Sequence, residues 1–204
     1  MYVPAHFAES NLQKLHDAIE TYSFATLVSQ SGGEPFASHL PLLLDRDAGA
    51  NGTLIGHMAR ANPQWQAAAG ERVLAIFSGP HAYISPTWYA AEKIVPTWNY
   101  VAVHASGRLE LIEDLAEAEA VLRRTIETYE ASQPSPWRLE ESPEFVARLT
   151  QQIVAFRIPI ERLEGKWKLN QNHPPERRAK VIAVLESRPD EDSREIARLM
   201  RASS

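Results

Sequence analysis

Phe24-Ala25-Thr26-Leu27-Val28-Ser29-Gln30-Ser31-Gly32-Gly33-Glu34-Pro35-Phe36-Ala37-Ser38-His39-Leu40-Pro41-Leu42-Leu43-Leu44 reads as two strands folded about a tight turn. Phe24 to Gln30 forms one strand and Pro35 to Leu44 the other, with the turn signal at Ser31-Gly32-Gly33-Glu34. A hairpin commits the chain to antiparallel neighbours, because parallel strands need a long crossover between them. Pro within a strand belongs at an edge or a bulge, where ladder pairing lapses. Pro35 to Leu42 therefore reads as an edge strand whose unpaired backbone groups suit the rim of a ligand. Ser38 and His39 point to opposite faces of it. The same residues also describe a plain edge hairpin with an exposed His.

N-terminal to this hairpin, Ser10 and Gln13 have the spacing of a capping box. Leu12, Leu15, Ile19 and Tyr22 follow at helical spacing, so roughly 10–22 is an amphipathic helix. C-terminal to it, Asp45 to Gly52 is a loop and Thr53 to Met58 a strand. Asn62-Pro63 starts a short helix that ends near Gly70. Arg72 to Ser78 has the unbroken apolar character of a buried strand. Thr97 to Ile112 alternates, with Trp98, Tyr100, Ala102 and His104 on one side and Asn99, Val101 and Val103 on the other. Asp114 to Glu130 is a helix whose apolar face is Leu115, Ala118, Val121, Leu122 and Ile126. Ser142-Pro143 starts another helix, and Ile153 to Leu163 alternates as a last strand. From Pro174 the chain is helical and charged, with a break at Arg188-Pro189-Asp190. Strands so unevenly spaced, and so often joined by tight turns, exclude repeated βαβ units. They indicate an α+β fold built mainly on a closed antiparallel barrel, with peripheral helices and a C-terminal helical hairpin.

The totals narrow the function. The 204 residues fit one domain with appendages, and 44% hydrophobic with 23% charged residues is ordinary for a globular chain. There is no cysteine, which excludes disulfides, thiolate metal sites and a Cys nucleophile and fits a reducing, cytoplasmic setting. The start, Met1 to Phe7, lacks the basic then apolar pattern of a secretory signal, and no apolar stretch is long enough to cross a bilayer as a helix. A net charge of −5 does not favour a broad nucleic-acid footprint, which needs clustered Lys and Arg.

Chemistry concentrates in a few places. Gly79-Pro80-His81-Ala82-Tyr83-Ile84-Ser85-Pro86-Thr87-Trp88-Tyr89 and Val95-Pro96-Thr97-Trp98-Asn99-Tyr100-Val101-Ala102-Val103-His104 are dense in aromatic rings with polar tips. Such a mixture is poor core material and suits a flat, heteroatom-rich ligand. Leu54 to Pro63 runs from a strand into a helix N-terminus, with Arg60 just before the Asn62 cap. The pattern describes a phosphate cradle, and equally a capped helix with a solvated Arg. Gly165 to Pro175 brings Lys166 and Lys168 around Trp167, then the amides Asn170, Gln171 and Asn172, as either a binding segment or an amide-rich loop. The seven His show no metal-ligand spacing, so no metal site is assigned. There is no G-x-S-x-G elbow, no G-x-G-x-x-G turn and no P-loop. Residues 176–200 have the outline of a helix–turn–helix, but their Arg residues are matched by acids and the second helix begins acidic. A hairpin packed on the barrel or across a dimer describes them better than a DNA reader.

Met1 to Phe7, Ser38 to Pro41, Gly56 to Pro63, Gly79 to Pro86, Val95 to Tyr100 and Lys168 to Asn172 occur in this order, and together the chain resembles the PaiB family of FMN-binding negative transcriptional regulators, nearly end to end. The resemblance implies a split β-barrel of the pyridoxamine-phosphate-oxidase type, a homodimer and an FMN cofactor at the subunit interface. It implies a flavin-binding domain over 1–172 and a helical appendage over 173–204. It places Arg60 and Asn62 at the flavin phosphate, and Ser38, His39 and Leu40 along the ring edge. Thr97, Trp98 and Asn99 fall in a further flavin-contacting segment, and Lys168 and Gln171 in a C-terminal cofactor motif where Asn170 replaces a frequent Ser. No catalytic residue is assigned. Two other functions stay open beside regulation: a flavin-dependent oxidoreductase or flavin reductase with His81, Tyr83, Trp88 and His104 on its substrate side, and a haem-binding split-barrel protein. DNA is a possible partner without support from the sequence chemistry.

Overall fold

A computed structural model describes residues 1–89, 95–139 and 142–203. In chain order the described elements are β1 (Ala8–Glu9), α1 (Leu12–Thr21), β2 (Phe24–Ser31), β3 (Glu34–Pro41), β4 (Leu43–Asp45), β5 (Thr53–Ala59), α2 (Gln64–Ala68) and β6 (Arg72–Ile84). They continue with β7 (Thr97–Arg108), β8 (Glu110–Ile112), α3 (Leu115–Glu130), α4 (Pro143–Gln151), β9 (Ile153–Pro159), β10 (Arg162–Lys168), α5 (Pro175–Glu186) and α6 (Glu191–Ala202). The chain forms two compact units. The first comprises Met1–Leu15, Ser78–Val103 and Glu164–Ser204; the second comprises His16–Phe77 and His104–Leu163.

The second unit holds the hairpin. Strand β2 pairs antiparallel with β3 from Phe24↔Pro41 to Ser31↔Glu34. Gly32 and Gly33, at φ 60° and 87°, form the two-residue turn, whose right-handed match to the strands needs positive φ at both positions. On its other side β2 pairs with the first half of β6, through Thr26↔Ile76 and Leu27↔Ala75. Strand β3 ends the order, as its two prolines require. The remaining strands of this unit form a sheet in the order β4-β5-β9-β8. Its longest pairing, β5 with β9, is antiparallel from Thr53↔Pro159 to Ala59↔Ile153. Helix α3 covers this sheet by burying Ala118 and Val121 against Ile112, Ala155 and Ile55. In the first unit the neighbours run β1-β10-β7-β6, and α5 packs on α6 through Val181, Ile182, Leu185, Ile196, Ala197 and Met200.

Several expectations are corrected. Helix α1 is capped by Asn11, whose Oδ1 accepts the Lys14 N–H at 3.0 Å, and not by a Ser10–Gln13 box. Strand β6 runs on to Ile84: Ala82 and Ile84 stay buried while His81 and Tyr83 face out, so the alternation continues past Ser78. The expected strand 97–112 breaks at Leu109, whose backbone bonds instead to Gly70 and Glu71. The expected last strand, 153–163, is two strands, β9 and β10. Leu115 is 62% exposed because it stands at the first turn of α3, ahead of the buried stripe that begins at Ala118. The cap at Ser142 is as read, and Asp114 caps α3 rather than opening its first turn, with each side chain accepting the N–H three residues on.

Candidate functional site

The residues singled out by sequence fall into two groups, one in each unit. In the second unit, the exposed-edge geometry of β3 puts Ser38 and Leu40 on one face and His39 on the other. Asn62 Nδ2 donates to Ser38 Oγ at 2.8 Å, and Asn62 Oδ1 accepts the Gln64 N–H at 3.0 Å. Asn62 therefore caps α2 and ties it to β3 at once. Helix α2 is only five residues long, so its dipole is small and any anion beside it must be held by side chains. His39 Nδ1 shares a hydrogen bond with Thr26 Oγ1 at 3.1 Å, and its ring lies 6.3 Å from that of Phe24.

Arg60 is held away from solvent on one edge. Its Nε donates to the Gln151 carbonyl and its Nη2 to the Ile153 carbonyl, each at 2.7 Å. The guanidinium thus satisfies one acceptor that the C-terminus of α4 leaves without a helical partner and one at the start of β9. Its Nη1 edge has no hydrogen-bond partner among the described residues and is the edge left for an anion. A cleft of about 270 Å³ beside it is walled by Trp65, Leu111, Leu115, Thr150 and Ile153.

Sequence reasoning missed Gln64. It is buried, and its Nε2 donates to the Leu27 carbonyl and Ser29 Oγ at 3.0 Å and to the Phe36 carbonyl at 3.3 Å. It locks β2, β3 and α2 together behind Ser38. Its Oε1 is buried without a partner. Only its position two residues after the Asn62 cap hinted at this.

In the first unit, Lys168 Nζ donates to Thr97 Oγ1. Burial, and then the charge of Lys166, hold the Lys168 ammonium below the usual lysine range. Lys166 itself is buried, with Nζ 3.0 Å from the Tyr2 carbonyl and 5.2 Å from the Tyr100 ring centroid. Trp98 is 51% exposed, whereas Asn99, the next residue on β7, is fully buried. Asn99 Nδ2 donates to Met200 Sδ at 3.4 Å, and its Oδ1 is buried without a partner. Gln171 closes its own turn: Oε1 accepts from Leu169 N at 2.8 Å and Nε2 donates to the Trp167 carbonyl at 2.6 Å. Asn170 sits at φ 60°, a conformation that Asn tolerates better than most side chains, and donates to the buried Tyr89 hydroxyl at 2.7 Å. Burial pushes the Tyr89 phenol up, against the smaller opposing pull of the Asn170 N–H, which favours the ionised oxygen. Asn170→Ala is expected to destabilise the fold by about 2 kcal/mol, through backbone strain and the lost bond, and Asn170→Gly by about 1 kcal/mol through the bond alone. Thermal unfolding midpoints of the two variants check the order.

Of the residues assigned to a substrate side, His81 and Tyr83 come together on one surface, beside Trp98 of the expected flavin segment. The Tyr83 and Trp98 rings meet edge to face at 5.8 Å, and His81 lies 6.0 Å from Trp98. Trp88 has no ring contact with these three and lies 5.7 Å from the Arg188 guanidinium, and His104 belongs to the second unit. No group of three or more His, Asp or Glu among the described residues is placed to hold a metal ion.

Comparison with known proteins extends this picture. The model of the family described as "Putative FMN-binding domain" matches residues 1–162. The chain is 36% identical to the protease synthase and sporulation protein PAI 2 of Bacillus subtilis, over 98% of this chain and 96% of that protein. Among solved structures, the flavocytochrome Anf3 of Azotobacter vinelandii is similar with a TM-score of 0.63 at 15% identity, over 81% of this chain and 72% of that one. The FAD and heme binding protein of Mycobacterium smegmatis is similar with a TM-score of 0.61 at 15% identity, over 79% of this chain and 73% of that one. At such identity the structural likeness speaks for the fold, an α+β split barrel.

Proposed function

The chain belongs to this FMN-binding domain family, together with PAI 2, and from that premise we propose that it acts in the cytoplasm as a homodimeric, FMN-dependent negative regulator of transcription. The likeness to PAI 2 along almost the whole of both chains carries this reading. Residues 1–172 serve as the flavin-binding domain and residues 173–204 as its helical appendage.

The donor set fits the cofactor. FMN presents a phosphate and a polar ring edge, which call for cations, hydroxyls and amides. Asn62 with Ser38 supplies an amide and a hydroxyl on one unit, with His39, Leu40 and the Nη1 edge of Arg60 on the same unit. Lys168 with Thr97 supplies an ammonium and a hydroxyl on the other, flanked by Trp98, Asn99 and Gln171. When bound, FMN supplies a redox-active ring; the protein's part is to grip the phosphate and to place donors along that ring.

Repression runs without base reading by the C-terminal hairpin, either through a partner or indirectly. Some of the basic side chains there are held by their own acids. Arg201 pairs with Glu186 at 2.7 Å and Arg198 with Glu195 at 2.6 Å. Arg178 is buried and donates to the Met200 carbonyl at 2.7 Å, closing the end of α6. Each cation so held is one fewer for the phosphate contacts that DNA affinity needs.

Arg60→Ala tests the phosphate assignment. It is expected to weaken FMN about tenfold or more while leaving riboflavin, which lacks the phosphate, nearly unchanged, as read by quenching of flavin fluorescence. Equal loss for both ligands would mean that Arg60 acts only through the carbonyls of Gln151 and Ile153.

A further inference from the structure

A cavity of about 440 Å³ in the first unit is lined by His81, Tyr83 and Trp98 on one wall and by Arg188 and the start of α6, Asp190 to Ser193, on the other. Its two walls carry different chemistry. The β6–β7 wall presents Tyr83 and Trp98, 45% and 51% exposed, in edge-to-face contact. Large rings so exposed on a sheet normally find an apolar or cationic partner. Elsewhere in this unit the protein supplies one, with Lys166 between Tyr2 and Tyr100 and Arg188 over Trp88. Among the described residues no Lys or Arg sits over Tyr83 or Trp98.

The α6 wall presents three carboxylates, Asp190, Glu191 and Asp192, against one guanidinium, Arg188. Asp190 is committed to the helix cap and to Arg188, since it accepts the Ser193 N–H at 2.8 Å and lies 3.4 Å from Arg188 Nε. Asp192 leans toward the rings, with Oδ2 3.2 Å from His81 Nδ1. Glu191 has no ion-pair partner among the described residues. The dipole at the start of α6 offsets only about half a charge, so the wall stays negative with Arg188 included. An anionic ligand is thereby disfavoured. A metal ion is disfavoured too, because these acids and His81 are not grouped as ligands.

The geometry points to a second ligand site on this protein, within the first unit, that takes a small organic cation of the alkylammonium class. The ammonium would sit against the Trp98 and Tyr83 rings, within reach of Asp192 and Glu191. The volume suits such a molecule. Trp98 is shared with the proposed flavin segment, so the decisive changes are made on the opposite wall, where no flavin contact is assigned.

The test uses the FMN-loaded protein, with choline as probe and 3,3-dimethylbutan-1-ol as its uncharged isostere, followed by indole NMR shifts or calorimetry. Choline is expected to bind saturably and the isostere at least about fivefold more weakly, with choline binding weakened by added salt. Glu191→Gln with Asp192→Asn is expected to reduce choline affinity about tenfold, while flavin absorbance stays that of the parent. Equal binding of choline and the isostere, or no saturable shift with choline up to tens of millimolar, overturns the site, and the parent protein alone gives that answer should the variant misfold. Loss of flavin without loss of choline binding would count against the flavin assignment and leave this one standing.

Discussion

Lys168→Met is expected to weaken FMN binding by about 10- to 100-fold, the range of one charge-assisted hydrogen bond removed from a partly buried site. Lys168 Nζ is already oriented by Thr97 Oγ1, so little ordering remains to be done on binding. Methionine keeps most of the volume and removes the charge and the donors. The pH dependence gives a second readout. Burial and Lys166 lower the Lys168 pKa, so this amine loses its proton below the usual lysine value of about 10.4. FMN affinity should therefore fall as pH rises through that depressed pKa. The apoprotein should respond in the opposite sense. A lysine that prefers to be neutral when folded destabilises at low pH, and its penalty is relieved as pH rises through the folded pKa toward the unfolded one. Flavin titrations and apoprotein melting curves across the alkaline range should thus diverge in the parent, and the divergence should shrink in Lys168→Met. If affinity and its pH profile are unchanged in the variant, Lys168 is not a flavin contact.

Gly107→Ala carries the largest expected effect on stability, about 3 kcal/mol, or roughly 6–12 °C in the unfolding midpoint for a chain of this size. Gly107 lies buried in β7, and a Cβ there would overlap the Pro159 carbonyl oxygen and come within 3.0 Å of Ile158 Cγ2. The obstacle is main chain at the end of β9, which cannot rotate aside as a flexible side chain would. Gly32→Ala makes the comparison, since nothing lies within 4 Å of a Cβ there and only the positive φ resists it. That change should cost about 1 kcal/mol. Equal midpoints for the two variants would show that the β7–β9 approach is looser than the coordinates have it.

Much of the fold was legible in the chain because local signals were strong. The Gly32-Gly33 turn, the prolines of β3 and the Ser142 cap each have one low-energy reading, and each is found. Errors came where tertiary contacts decide. The strand expected to end at Ser78 runs on, because Pro80 is tolerated in β6 and the inward Ala82 and Ile84 extend it. The break at Leu109 depends on bonds from Gly70 and Glu71, far away in sequence. Of the candidate site, Ser38 is joined to Asn62 and Thr97 to Lys168, pairings that no spacing in the sequence announces. Gln64 was invisible because one glutamine in a short helix carries no pattern. The tie of Arg60 to Gln151 and Ile153 was equally hidden, since no sequence rule says which distant carbonyls a guanidinium will meet.

The central claim is that this chain is a flavoprotein that grips FMN by its phosphate and ring edge. Adding FMN to purified apoprotein, removing the free cofactor and recording the visible spectrum tests it most directly. The account predicts a saturable flavin spectrum that stays with the protein and is perturbed from that of free FMN. Protein that remains colourless after an excess of FMN has been supplied and washed away would contradict it.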